Sequence, residues 1–282
     1  MYVILYNPLS RNGRSKHRLN KLKKYLIKKN IEYKFIDLTT IDDVETFLNE
    51  YKKASSFVIV GGDGTLNVLA NKIQNINIEQ NIYLYKAGTG NDFLRSLKNR
   101  KGLVDIKKYL YNLPKVYFND EERYFLNGAG LGLDGLVVSK VNKSKYKKNK
   151  FNYFRHTLEA FKEFKPVKAN VVVDNKEYNI DKTWLIAGMN DKFFGGGMKI
   201  APKASRTSDK LDLVIVKTAS KFMLFLIFPI IYLGLHKYFK RYVKIIRGNN
   251  IEINFDRKVY LQVDGEEYKD IKNIIIKKWV FD

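Results

Sequence analysis

Two stretches of this chain carry an apolar run straight into a cluster of glycines, and they limit its fold more than any other feature. Phe57-Val58-Ile59-Val60 ends in Gly61-Gly62-Asp63-Gly64-Thr65, and Ile82–Tyr85 is followed shortly by Gly88-Thr89-Gly90-Asn91-Asp92. A short apolar run bounded by turn residues reads as a buried strand. Leu66 to Lys72, after the first cluster, reads as a helix. Upstream, Tyr2–Tyr6 predicts a strand, Ser15 to Asn30 a basic helix with Leu19, Leu22, Leu26 and Ile27 on one face, and Glu32–Leu38 a strand. Ile41 to Lys53 predicts a helix capped by Thr40. Strands alternating with helices imply a parallel α/β sheet, whose ligands bind at the carboxyl edge of the strands.

Both glycine clusters fall at that edge, as does Asn7-Pro8-Leu9-Ser10-Arg11-Asn12-Gly13 after the first strand. Glycines there permit close backbone approach, and the free N–H groups of a helix start bind phosphate oxygens. Asp63 is ill suited to bare phosphate and implies a metal ion or a hydroxyl partner. Arg14, Lys16 and Arg18 bring cations near the third loop. One such cluster is explicable as a tight turn; two on one edge are much harder to explain that way. Neither matches the Walker A lysine pattern or a dinucleotide fingerprint.

After Pro114 the pattern changes. Val116–Phe118, Tyr124–Asn127, Ala169–Val173, Lys176–Ile180, Trp184–Met189, Leu211–Val216, Ile251–Phe255, Val259–Val263 and Ile274–Phe281 are strand-like runs separated by turn residues. They predict a mainly antiparallel second domain, with helical insertions near 150–164 and 220–242. The expected domains are therefore 1–116 and 117–282. The segment 140–150, with its six lysines, reads as an exposed loop.

Composition narrows the partners. Fifty-two Lys and Arg against 29 Asp and Glu give a net charge of +23, which concentrates polyanions around the molecule. Nucleic acid, an anionic membrane face and nucleotide phosphates qualify, although a general enrichment in lysine accounts for much of the excess. No nucleic-acid motif accompanies the charge, so no nucleic-acid partner is expected. There is no cysteine, which excludes disulfides and thiolate metal sites. The longest apolar run, Phe222 to Leu235, has 14 residues and contains Pro229, short of the roughly 20 needed to span a bilayer. With no signal-peptide pattern at the start, a soluble cytoplasmic protein is expected.

At this point the motifs resemble a known family. GGDGT after a strand, GTGNDF some way downstream and an NPxS-type first loop are similar to the diacylglycerol kinase catalytic domain family, which includes bacterial lipid kinases, sphingosine kinases and ceramide kinases. Asn127-Gly128-Ala129-Gly130-Leu131-Gly132-Leu133-Asp134-Gly135 resembles its N-x-x-G-x-G-x-D-G, Phe194 to Pro202 its GGGM-x-x-x-P, and Val263-Asp264-Gly265-Glu266 its terminal DGE. The resemblance implies a three-layer α/β domain like that of NAD kinases and phosphofructokinases, then a β-sandwich domain, with ATP in the cleft between them. It implies that Gly61, Gly62, Asp63, Gly64, Thr65, Gly88, Thr89, Asn91 and Asp92 hold ATP and Mg²⁺, helped by Asn7, Ser10 and Arg14. Asp63 and Asp92 suit magnesium, which prefers oxygen ligands and keeps its waters. Asp264 would be the base for a lipid hydroxyl and Glu266 its neighbour; taken alone, Asp264-Gly265 reads as a hairpin turn. The implied reaction converts diacylglycerol to phosphatidic acid. The alternatives are an NAD kinase-like enzyme acting on a soluble nucleotide and a non-catalytic protein binding nucleotide or anionic lipid.

Two positions depart from the family pattern. Arg11 stands where the family usually has glycine. In Ser208-Asp209-Lys210-Leu211-Asp212, compared with the usual D-G-x-L-D, Ser208 takes the Asp place and Asp209 the Gly place, while Asp212 matches. In soluble bacterial members this loop holds a structural magnesium, so Asp209 and Asp212 are the candidate ligands of a rearranged, weakened or absent site. For lipid access, the apolar Phe222–Leu235 followed by His236, Lys237, Lys240, Arg241, Lys244 and Arg247 suits docking on an anionic membrane surface. The expected location is the inner face of the membrane, peripherally held; relatives of this kind are often homodimers.

Overall fold

The computed structural model describes residues 1–8, 16–87, 91–97, 101–144 and 150–279. It divides into two compact units, Met1–Asn112 and Leu113–Asp282. The division falls before the expected boundary at 116 because the strand Lys115–Phe118 pairs with strands of the second unit.

The first unit runs β1 (Tyr2–Tyr6), α1 (Lys16–Lys28), β2 (Tyr33–Asp37), α2 (Val44–Glu50), β3 (Ser56–Gly61), α3 (Asp63–Ile73), β4 (Asn81–Lys86), α4 (Asp92–Ser96) and β5 (Leu103–Asp105). Its sheet has the order β2-β1-β3-β4-β5. The first four strands are parallel and β5 is antiparallel to β4. Burial on both faces explains why β3 reads as unbroken Ser-Phe-Val-Ile-Val-Gly. On one face Leu22 and Leu26 of α1 pack with Ile4, Val58 and Val60. On the other, Leu5, Phe57 and Ile82 share a small apolar space with Phe47 of α2 and Leu69 and Ile73 of α3. Each such fully buried aliphatic or aromatic side chain contributes roughly 1.5–3 kcal/mol. The expected three-layer α/β domain is therefore present. One local expectation fails. Leu38–Thr40 is a single 3₁₀ turn capped by Asp37, and α2 is capped by Asp43, whose carboxylate accepts the N–H groups of Glu45 and Thr46. Asp is a strong N-cap, and here it prevails over Thr40.

The second unit contains β6 (Lys115–Phe118), β7 (Glu121–Tyr124), β8 (Gly128–Gly132), α5 (Leu133–Lys143), α6 (Lys150–Glu163), β9 (Val167–Val173), β10 (Lys176–Met189), β11 (Leu211–Lys217), α7 (Lys221–Ile231), β12 (Val243–Gly248), β13 (Asn250–Val263) and β14 (Glu266–Lys277). All its strand pairings are antiparallel. Two expected strand pairs are single long strands. β10 and β13 each pass a register shift, near Ile180/Thr183 and Asn254/Val259, and carry on. Because of this, β9 pairs with the first halves of both and β8 with their second halves, and β8, β10, β9 and β13 form a closed circuit of ladders. A large apolar core fills the unit, drawn from the strands, α5, α6 and α7.

Four elements of this unit are not expected from the sequence: β7, β8, β12 and α5. Gly-Ala-Gly-Leu-Gly is a strand through its ladders to β10 and β13, and little but glycine fits at two of its positions. A Cβ on Gly130 would stand 1.9 Å from Oδ2 of Asp134, and one on Gly128 2.5 Å from the sulfur of Met189. The expected strand at 124–127 gives way to the segment that leads into β8. The stretch 140–150, expected to be a loop, opens as the last turn of α5; residues 145–149 lie outside the described residues.

Candidate active site

The site residues of the first unit follow from the register of its parallel strands. Tyr6 pairs with Val60, Val60 with Tyr85 and Gly61 with Lys86, so Asn7, the Gly62–Thr65 turn and the approach to Asn91 share one edge of the sheet. Gly61 makes the strand-to-helix turn possible, since a Cβ there would lie 2.6 Å from Cβ of Thr65. Gly62 is the N-cap of α3 and supplies no side-chain cap. A helix start leaves backbone N–H groups for an outside acceptor, and its dipole favours an anion. A Cβ on Gly64, in that first turn, would meet nothing within 4 Å. Ser10, Arg11, Arg14, Gly88 and Thr89 lie outside the described residues.

Asp63 and Asp92 come together, with a division of labour the sequence does not announce. The Asp63 carboxylate accepts the backbone N–H groups of Asp92 and Phe93, both at 2.9 Å, and so caps α4 from a distance. The N-cap of α4, Asn91, has φ 48° and offers no side-chain cap of its own, a conformation that Asn tolerates better than most residues. Asp92 is buried, and Arg95 Nε lies 3.5 Å from its Oδ1. Asp63 thus fastens the two glycine-rich loops to each other. Charge-assisted bonds of this kind are worth roughly 1.5–3 kcal/mol each.

In the second unit, Val263 pairs with Glu266 across a two-residue hairpin in which Asp264 and Gly265 have φ 47° and 96°. That is the geometry for which Asp-Gly is favoured. The turn reading of these residues is realised. The Asp264 carboxylate accepts three backbone N–H groups, from Leu126 at 2.5 Å, Asn127 at 2.9 Å and Gly128 at 3.1 Å. Its own N–H donates to the Gly128 carbonyl. The expected base is therefore a fixed carboxylate, clamped onto the entry to β8. Glu266 is exposed and accepts the Tyr268 hydroxyl at 3.2 Å.

Sequence reasoning missed the residues behind this hairpin. Gln262 accepts the Gly265 N–H at 2.9 Å and donates to Asp134 Oδ2 at 2.8 Å. Asp134 is fully buried beside the apolar side chains of Leu133, Val137, Phe161 and Trp184. Burial pushes its pKa up to about 7, against a smaller lowering by the Gln262 hydrogen bond. The motif around Asp134 marks the position; only the packing reveals the perturbed carboxyl. On the other side, Arg206 donates to the Leu126 carbonyl and to Asn127 Oδ1, the latter at 2.6 Å, and pairs with Asp191 at 2.6 Å. Lys278 Nζ donates to Asn190 Oδ1 at 2.7 Å. Burial first, and then the Arg206 charge, lower the Lys278 pKa to about 8.

The candidate metal ligands Asp209 and Asp212 sit in different surroundings. Asp209 is exposed, whereas Asp212 is buried and paired with Arg247 Nε at 2.6 Å. Among the described residues no group of three or more His, Cys, Asp or Glu side chains is placed to hold a metal ion.

The apolar stretch after Ser220 forms α7, with Ser220 as its N-cap. One face, including Leu224, Ile227 and Phe228, is buried. On the other side, Phe222 is 69% exposed, and Leu233 and Tyr238 in the following turns are 66% and 67% exposed. Lys240 and Arg241 are exposed close by in the chain, but His236 is not part of this basic face. It is buried against the Ile200 carbonyl, and burial lowers its pKa. Among the described residues no helix is long and apolar enough to cross a membrane.

An α/β unit that gathers an uncapped helix start and a carboxylate-tied second loop at one sheet edge, followed by an antiparallel unit that fixes an acidic hairpin, has parts that phosphoryl transfer can use. Comparison with known proteins makes this specific. Residues 1–115 match the diacylglycerol kinase catalytic domain, and residues 128–274, more than half of the chain, match the YegS C-terminal NAD kinase beta sandwich-like domain. The chain belongs to the lipid kinase family that these two domains define. It is 24% identical over 290 residues to a Bacillus subtilis protein named provisionally as the lipid kinase YtlR, covering 94% of this chain and 93% of that one. It is 27% identical over 194 residues to a diacylglycerol kinase of Mycobacterium tuberculosis, covering 66% of this chain and 62% of that one. A crystal structure of a diacylglycerol kinase from Bacillus anthracis shares the fold, with a TM-score of 0.65 at 18% identity, covering 98% of this chain and 94% of that one.

Proposed function

We propose that this protein transfers the γ-phosphoryl group of ATP to the hydroxyl of diacylglycerol, giving phosphatidic acid, while docked on the anionic inner face of a membrane. The observation that carries the reading is the start of α3, which has no side-chain cap and has open space in front of Gly64. That leaves room for a bound polyphosphate against the N–H groups of the helix start. Asn7, Gly62, Gly64, Thr65 and Asn91 hold the nucleotide in this reading, with Ser10, Arg14, Gly88 and Thr89 completing the loops. Mg²⁺ bound with ATP would neutralise phosphate charge, and Asp63 and Asp92 would hold it through its waters, since magnesium takes few protein ligands when phosphates are present.

Phosphoryl transfer asks the protein for positioning and charge compensation more than for covalent chemistry. Asp264 accepts the proton of the attacking hydroxyl late in the reaction, as the new P–O bond forms. The three amide N–H groups hold the carboxylate in one orientation. The exposed aromatic and aliphatic side chains of α7 and the turns after it enter the lipid interface, and Lys240 and Arg241 meet anionic headgroups, each worth about 1 kcal/mol near a charged leaflet.

The test is a labelled-ATP assay on the purified full chain, with diacylglycerol in mixed micelles and, in parallel, a total lipid extract. The expected result is labelled phosphatidic acid, lost in Asp63→Ala, together with sedimentation of the protein on anionic but not on neutral vesicles. Label on NAD and on no lipid would overturn the reading. A different labelled lipid would overturn the choice of diacylglycerol.

A further inference from the structure

The segment between β10 and β11 is where the family resemblance implies a divalent cation, and in this chain its oxygen donors are already taken by nitrogen. Asp212, buried within β11, accepts from Arg247 Nε at 2.6 Å, and the same guanidinium donates to the Lys203 carbonyl at 2.8 Å. Asp191 pairs with Arg206 Nε at 2.6 Å, with both side chains at least nine-tenths buried, 4% and 5% exposed. The rest of that guanidinium serves Asn127 Oδ1 and the Leu126 carbonyl. Lys278 reaches into the same place from the chain end, donating to Asn190 Oδ1 at 2.7 Å and to the Arg206 carbonyl at 3.3 Å. Asp209, displaced by one residue from the family position, stays exposed.

These contacts argue against a metal on chemical grounds. A hard divalent ion needs several carboxylate and carbonyl oxygens turned to one point. Here the carboxylates of Asp191 and Asp212 and the carbonyls of Leu126, Lys203 and Arg206 each hold an Arg or Lys donor. An added ion would stand among three cationic side chains, with too little negative charge to offset it. The arrangement also explains why the altered Ser208-Asp209 sequence does no harm to the loop. Ser208 closes it locally, its N–H donating to the Ser205 carbonyl at 2.9 Å and its hydroxyl accepting from the Lys210 N–H at 3.1 Å.

We propose that the 202–212 loop of this protein holds no metal ion, and that the buried Arg206 guanidinium, flanked by Arg247 and Lys278, is the built-in cation that fixes the loop to Leu126 and Asn127. The inference does not depend on which substrate the protein takes, so it can be tested without ATP or lipid. The full chain is stripped with a chelator, returned to buffer and titrated with Mg²⁺ while thermal unfolding is followed. Mn²⁺ binding is read in parallel by electron paramagnetic resonance. The expected result is a melting temperature that does not respond to Mg²⁺ through the 202–212 loop and a wild-type Mn²⁺ signal that Asp209→Asn leaves unchanged. Arg206→Met lowers the melting temperature by several degrees, and Arg206→Lys recovers part of the loss. A saturable rise of the wild-type melting temperature with Mg²⁺, or bound Mn²⁺, that disappears in Asp209→Asn would overturn the proposal. So would an Arg206→Met protein that melts like the wild type. If Arg206→Met does not fold, the metal titrations of the wild type and of Asp209→Asn, at an exposed position, still decide the matter.

Discussion

Replacing Asp134 with asparagine separates a buried acid from its charge. An ordinary aspartate releases its proton near 3.8, and Asp134 in the folded protein does so at about 7. That gap is about 4 kcal/mol of preference for the neutral form, an order-of-magnitude figure. The sign follows from the raised value. The folded state keeps the proton that the unfolded chain has given up, so the contribution is fully present below about pH 4 and is lost as pH rises through about 7. Asp134→Asn removes this titration and still offers an oxygen to Gln262 Nε2. From about pH 5 to about pH 8 the wild type should lose about 2–3 kcal/mol relative to the variant. For a unit of this size that is a difference of about 5–10 °C in melting temperature. Scanning calorimetry of both proteins across this range measures it directly, because the other titrating groups are common to the two. Melting temperatures that run parallel from pH 5 to 8 would refute the account of a desolvated, protonated carboxyl behind the Asp264 hairpin.

Two further substitutions test the halves of the candidate site. Asp264→Asn turns an NH₂ group toward backbone donors, so we expect a loss of about 1–3 kcal/mol in stability, or roughly 2–10 °C in the melting of the second unit, together with loss of kinase turnover; an unchanged melting temperature would contradict the three-amide clamp. Gly64→Ala should leave stability unchanged or raise it by up to about 1 kcal/mol, because alanine is the better helix former and its Cβ meets nothing within 4 Å. ATP affinity, measured by calorimetric titration, should fall about tenfold or more, equivalent to about 1.4 kcal/mol or more. Undiminished affinity would remove the start of α3 from the phosphate site.

How much of this was legible in the sequence depends on whether a residue's role is local. β1, β3 and β4 and their glycine turns could be read directly, because short apolar runs ending in glycine have few other uses. The Asp-Gly hairpin was equally plain. The double duty of Asp63 was not, since its partners are the amides of Asp92 and Phe93 in another loop. Nor was the role of Arg206, one cation among many, which becomes special only when folding places it on Asp191 and Asn127. α5 escaped notice because Leu133-Asp134-Gly135 looks like a turn. Gly135 is required there by Tyr260, whose backbone would lie 2.5 Å from an added Cβ. β10 and β13 looked like four strands because their bulges carry polar residues, and a sequence window does not distinguish a bulge from a loop.

The closed circuit of β8, β10, β9 and β13 has a consequence for the acidic hairpin mounted on it. A strand at a sheet margin can peel away alone, whereas β13 is bridged through β14, β8 and β9. Its tip cannot swing outward without breaking hydrogen bonds on more than one flank. Any adjustment to different ligands must therefore come from elements outside the circuit, while the carboxylate at the tip stays a stationary reference point.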